Sequence, residues 1–193
     1  MEIRNGVFSL SMVLALAFCL PPCSLASFVV SAGSGSVPVG GTLLVPVSID
    51  QGADLYAYQF DLAYDPSILQ LESILEGPLL PSVGSTVFSP GTIDNATGIA
   101  TFIADSLVGP IPGASSGGDL ADFRFVGIGP GTSSLTLSNV VLLDSALNDI
   151  SFTTSNGSLV VTGSAVPEPR LPWVGLLPIF WILLKVRPGS RKG

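Results

Sequence analysis

The chain has 193 residues, 47% of them hydrophobic and 11% charged, with 22 Gly and 16 Pro, which suits one domain of ordinary size with appended segments. It has no His, and both cysteines, Cys19 and Cys23, lie near the N-terminus; Ser-His-Asp and Cys-His nucleophiles, zinc held by His or Cys, and a structural disulfide are thereby excluded from the remainder. Six of the seven bases gather at the two ends, leaving twelve acids against Arg124 alone over residues 27–166; nucleic acid, which is bound through Lys and Arg, is excluded as a partner, and the acidic field suits solubility, cations or a basic patch on a partner protein.

From the N-terminus, Arg4 precedes an apolar run from Val13 to Leu20, then Pro21 and Pro22, then Ser24-Leu25-Ala26. This order is that of a secretory signal peptide over residues 1–26, cut between Ala26 and Ser27. Leu20-Pro21-Pro22-Cys23 is a poor lipoprotein box, because a Pro stands where a small flexible residue is needed.

Residues 27–161 show strands and turns with hardly any helical periodicity. Leu43, Val45, Val47 and Ile49 alternate with Leu44, Pro46, Ser48 and Asp50, and Pro46 inside the run points to an edge strand or a bulge. From Leu55 to Tyr64, Tyr56, Tyr58, Phe60, Leu62 and Tyr64 share one face while Ala57, Gln59, Asp61 and Ala63 share the other. Ala121, Phe123 and Phe125 alternate with Asp122, Arg124 and Val126, and Leu135 and Leu137 alternate with Ser134, Thr136 and Ser138. Turns are marked at Gly40-Gly41, Asp65-Pro66, Gly77-Pro78, Ser89-Pro90-Gly91, Asp94-Asn95, Gly117-Gly118, Gly129-Pro130-Gly131 and Asn156-Gly157. Eight or nine short strands separated by turns predict an all-β sandwich, and a domain of about 135 residues buries enough core to do without disulfides.

A short linker, 162–165, leads to Val166-Pro167-Glu168-Pro169, an apolar run from Leu171 to Leu184, and Lys185, Arg187, Arg191 and Lys192. A Pro-Glu-Pro motif, a short hydrophobic helix and a basic tail, in that order over residues 166–193, resemble the PEP-CTERM sorting signal. The resemblance implies export by a Gram-negative bacterium, processing by an exosortase, and delivery to the envelope or extracellular matrix, with Val166, Pro167, Glu168 and Pro169 as the sorting motif. Fourteen helical residues reach about 21 Å against a hydrocarbon core of about 30 Å, so Arg170 and Lys185 have to snorkel for the helix to anchor the chain in the membrane. Bases beyond the apolar run place the acidic domain outside. Pro172 and Pro178 depart from the Leu-, Gly- and Ala-rich run usual in that signal.

Between the two ends, five segments carry a second resemblance: Val37-Pro38-Val39-Gly40-Gly41-Thr42, Leu55 through Tyr64 with Asp65-Pro66, Gly118 through Phe125, Gly131 through Leu137, and Asn156 through Val161. Their order resembles the cohesin domain, which implies a jelly-roll β-sandwich of about nine strands over residues 27–161, akin to some carbohydrate-binding modules. Cohesins of cellulosomes bind dockerins, small calcium-loaded helical modules, so the resemblance implies a non-catalytic protein-binding or scaffolding module with no cofactor. Its partner would meet a face of the sandwich, and the exposed face around Gln59, Asp61 and Ala63 is where contacts are expected. No repeat or companion module accompanies the domain, so the identity of a dockerin-like partner does not transfer.

A polysaccharide is the alternative partner, for binding or breakdown. Sugar platforms need flat exposed aromatics; Tyr56, Tyr58 and Tyr64 are candidates, but they share a face with Phe60 and Leu62, which reads as core, and both tryptophans, Trp173 and Trp181, fall in the C-terminal segment. A glycosidase needs only two carboxylates, for which Asp119 and Asp122 or Asp61 and Asp65 can be nominated, though twelve acids make chance neighbours common. Asp144-Ser145-Ala146-Leu147-Asn148-Asp149 offers oxygen donors for calcium without the spacing of an EF-hand loop and reads as a polar turn. Asn95-Ala96-Thr97 and Asn156-Gly157-Ser158 match the glycosylation pattern and also read as turns.

Overall fold

A computed structural model of the chain describes residues 28–52 and 54–163. The leader with its Ala26-Ser27 cut, the second half of the linker, and the tail with Val166-Pro167-Glu168-Pro169 lie outside the described residues.

The described residues form strands and no helices: β1 (Phe28–Ala32), β2 (Gly35–Pro38), β3 (Thr42–Ile49), β4 (Leu55–Ala63), β5 (Leu69–Glu76), β6 (Thr92–Asp94), β7 (Ile99–Ser106), β8 (Gly118–Gly127), β9 (Gly131–Asp144), β10 (Phe152–Ser155) and β11 (Gly157–Thr162). They make a five-stranded sheet, β10-β1-β3-β8-β5, and a six-stranded sheet, β2-β11-β9-β4-β7-β6. The all-β sandwich expected from the turn spacing is therefore present, with eleven strands where about nine were expected. The excess has a simple origin. The first and last strands each divide between the sheets: β1 lies beside β10 in one, and β2 beside β11 in the other. The two crossings touch, for a Cβ on Gly157 would stand 2.0 Å from the Gly33 carbonyl oxygen. Only glycine lets the backbones pass.

Period-two alternation fills the space between the sheets. Val45, Val47 and Ile49 of β3, Leu69 and Leu71 of β5, and Phe123 and Phe125 of β8 meet Phe60 and Leu62 of β4, Leu135 and Leu137 of β9, and Leu159 and Val161 of β11. Phe60 and Phe123 touch across the sandwich with ring centroids 6.1 Å apart, and Tyr64 meets Phe125 edge-on at 5.3 Å. Aromatic pairs at such distances add to the area they bury.

Two expectations need correction. Pro46 does not mark an edge, since β3 lies between β1 and β8. Its ring is tolerated because β1 pairs with β3 only from Val47 to Ile49, so the missing N–H falls where that partner has left. The Pro46 carbonyl, on the same side, accepts from Gly33 N at 2.8 Å, and the ladder with β8 slips between Val47 and Ser48, the bulge that the proline also allowed. Tyr56 is the second case. The register between β4 and β9 shifts between Leu55 and Ala57, which turns Leu55 into the core and leaves Tyr56 half-buried.

Candidate binding face

The outer face of the six-stranded sheet is centred on β4, which alternation forces to turn Ala57, Gln59, Asp61 and Ala63 outward while Tyr58, Phe60 and Leu62 enter the core. On β7, Ser106 and Ala104 stand opposite Ala57 and Gln59, and on β9 Leu143 and Val141 do so. Small side chains in the middle and large ones at the sides leave a shallow groove lined by Ala57, Gln59, Val87, Phe102, Ala104 and Val141. Its apolar walls are open to solvent: Val87 is 67% exposed, Phe102 57% and Val141 39%.

Asp61 organises this face. Its Oδ1 accepts from Phe102 N at 2.7 Å, and its Oδ2 from Asn139 Nδ2 at 2.6 Å. Both partners are left-handed, with φ of 59° for Phe102 and 50° for Asn139, and each sits where the ladder on its side of β4 slips register. One outward carboxylate thus ties a bulge on either flank. A left-handed backbone is uncommon for a bulky residue and costs on the order of 1–3 kcal/mol, so it persists only where the surroundings fix it. Here the fixing bond comes from Asp61, and the result is an aromatic ring aimed at solvent beside Val87.

The family comparison decides what kind of scaffold this is. Residues 28–161 match the family model described as the cohesin domain. The chain belongs to the cohesin family. Cohesin modules are non-catalytic binding domains. A non-cellulosomal cohesin from the archaeon Archaeoglobus fulgidus shares the fold with a TM-score of 0.57 at 23% identity, over 71% of this chain and 92% of that one. CaCohA2 from Clostridium acetobutylicum gives 0.55 at 27% identity, over 72% and 93%. A type I cohesin–dockerin complex from Clostridium thermocellum contributes a chain with 0.58 at 16% identity, over 70% and 99%. Comparison with curated proteins finds no match.

In this cohesin the tyrosines build no exposed platform. Tyr58 and Tyr64 are core residues whose hydroxyls donate to the Leu120 carbonyl and to Asn95 Oδ1, and Tyr56 donates to the Gly109 carbonyl at 2.7 Å. Burial holds the phenols of Tyr58 and Tyr64 above the usual range, the latter at about 12.

Of the nominated carboxylates, Asp61 and Asp65 are each held by hydrogen-bond donors. Asp65 Oδ1 closes its own turn on Ser67 N and Oγ, at 2.9 and 2.6 Å, while Asp61 serves the bulges. Those Ser67 bonds hold Asp65 below the usual carboxylate range. Asp119 and Asp122 lie on β8, where burial and then the neighbouring Asp119 push Asp122 up.

Asp144 caps the turn that the sequence placed there, accepting from Ala146 N at 2.9 Å and Asn148 N at 2.8 Å. Sequence reading missed Asp54, which accepts from Gly113 N at 2.6 Å and Ser145 Oγ at 2.5 Å and so ties two loops to its own; nothing in the local pattern predicts bonds 59 and 91 residues away. Asn95 does more than turn the chain. Its Oδ1 also accepts from Leu71 N at 2.8 Å and its Nδ2 donates to the Leu71 carbonyl at 3.0 Å, supplying a strand-like partner to β5 at its bulge. Asn156 Oδ1 accepts from Leu137 N at 3.3 Å beside the crossing.

Proposed function

We propose that this cohesin is a non-catalytic protein-binding module, exported and held at the bacterial envelope or matrix, and that a dockerin-like protein docks on the groove around Phe102. The observation that carries the reading is the exposed cluster of Val87, Phe102 and Val141 around a groove floored by Ala57, Gln59 and Ala104, with Phe102 kept in a left-handed conformation by Asp61. Aromatic anchors surrounded by flat, small neighbours are what protein partners bury. The acidic balance of residues 27–166 favours a partner with a basic rim, which would speed encounter. Export, exosortase processing and the anchor rest on the order of segments at the two ends.

The test is titration of the immobilised protein with calcium-loaded dockerin modules and with a polysaccharide panel, for the parent and for Phe102→Gly. Relief of the left-handed strain offsets the glycine's added freedom, so the variant keeps its stability within about 1 kcal/mol. Dockerin affinity is expected to fall at least tenfold in the variant. Binding that survives unchanged removes the groove from the interface, and retention by polysaccharide alone replaces the protein partner with a glycan.

A further inference from the structure

β7 carries a carboxyl where the pattern calls for an apolar side chain. Ala100, Ile103 and Asp105 point into the sandwich, and Asp105 is only 2% exposed. Its Oδ1 accepts from Ser106 N at 2.8 Å, but Oδ2 is buried and no described residue donates to it. Another acid reaches this end of β7: Glu76, at the end of β5 in the opposite sheet, accepts from Thr86, which bridges Leu107 two residues beyond Asp105, and it is a carboxylate neighbour of Asp105. Two carboxylates cannot hydrogen-bond to one another unless one of them is protonated.

The remaining surroundings supply no compensating charge. Tyr58 stands opposite Asp105 on β4, and its hydroxyl is spent on the Leu120 carbonyl. Arg124, the only base among the described residues, is exposed on β8 while its neighbours Phe123 and Phe125 are buried, so it points away from the interior, and Asp122 shares its phase. Glu76 in turn accepts from Thr86 Oγ1. Thr86 opens a segment that extends the sheet edge beyond β6: Val87 N donates to the Ser106 carbonyl at 2.9 Å, and Ser89 and Ala104 exchange two bonds at 2.8 and 3.0 Å. That segment holds Val87, one wall of the groove.

We infer that Asp105 and Glu76 share a single proton, and that this proton latches the 86–89 segment to β7. With the proton in place the acid pair is a hydrogen bond inside an apolar interior. Without it, two negative charges meet there, and Glu76, half-buried, is the one free to swing outward and release Thr86. Burial first, and Glu76 second, push the Asp105 carboxyl up to about 6, which sets the latch to open between mildly acidic and neutral pH. The device does not depend on what the groove binds.

Hydrogen exchange on the full chain in detergent micelles tests it, comparing protection of the 86–89 segment with that of β3 at pH 5 and pH 8. The parent is expected to lose about tenfold in protection of 86–89 on going to pH 8, the size of effect that follows when a buried carboxyl gives up its proton, while β3 is unmoved. Asp105→Asn, which gives Oδ2 a donor in its place, and Glu76→Gln are each expected to keep full protection at both pH values; if one fails to fold, the other carries the comparison. A parent whose 86–89 protection is the same at both pH values overturns the latch, and so does a variant that loses protection as the parent does.

Discussion

Asn95 and Asp61 make the same physical point in different places: a short polar side chain substitutes for a strand where register slips. Asn95 satisfies both backbone groups of Leu71 and the hydroxyl of Tyr64, in surroundings where Leu71 is 2% and Tyr64 6% exposed. Removing it strands three polar groups, and each buried unpaired group costs about 1–3 kcal/mol. Asn95→Ala is therefore expected to lose about 3 kcal/mol in urea unfolding, whereas Asn95→Asp, which keeps the acceptor, loses less. Equal losses in the two variants would show that the acceptor does not contribute. In the sequence Asn95 reads only as a turn residue, because Leu71, 24 positions away, gives no local sign that its strand lacks a partner there.

Among the elements, the divided end strands set the sandwich. β1 and β2 pass from one sheet to the other at the point where β10 and β11 do the same, and Gly157 is the contact between them. Gly157→Ala drives a methyl group onto the carbonyl oxygens of Gly33 and Ala32, at 2.0 and 2.6 Å, so neither chain can yield without breaking its parallel pairing. A loss of about 3 kcal/mol, at the upper end of overpacking costs, is expected from thermal unfolding; a change under 1 kcal/mol would mean the crossing is loose. The dipeptide Asn156-Gly157 was legible as a turn, but the sequence could not show that the glycine faces a second crossing 124 residues earlier.

Across the whole molecule, two groups of carboxyls pull the stability in opposite directions with pH. Asp54, Asp65, Asp94 and Asp144 are held below the usual range, chiefly by side-chain bonds from Ser145, Ser67, Thr97 and Asn148 respectively. Their contribution is present above the unfolded carboxylate range and is lost as pH falls through the lowered folded values. Asp105 has the opposite sign: between its ordinary value and about 6 the folded chain holds a proton that the unfolded chain has released, so stability declines as pH rises through that window. Asp122, which burial also pushes up, has the same sign. The melting midpoint is therefore expected to peak near pH 4–5 and to decline towards pH 7, and Asp105→Asn should shrink the decline while leaving the acid limb in place. A parent profile that rises to pH 7 would contradict the burial of that charge.

Alternation by itself determined the sandwich, its inward faces and the outward position of Gln59, Asp61 and Ala63, because a strand's side chains must alternate and apolar ones must leave water. The absence of His, and of Cys beyond residue 23, determined which chemistries the domain lacks. Tertiary structure alone decided what depends on register: that Pro46 sits inside a sheet, that Tyr56 leaves the core, that Phe102 is turned to solvent, and that Asp105 meets Glu76 from another sheet. A bulge is one extra residue in one strand. It carries little local signature, yet it reverses every side chain beyond it, and so the binding face and the acid pair were fixed by pairings between distant segments.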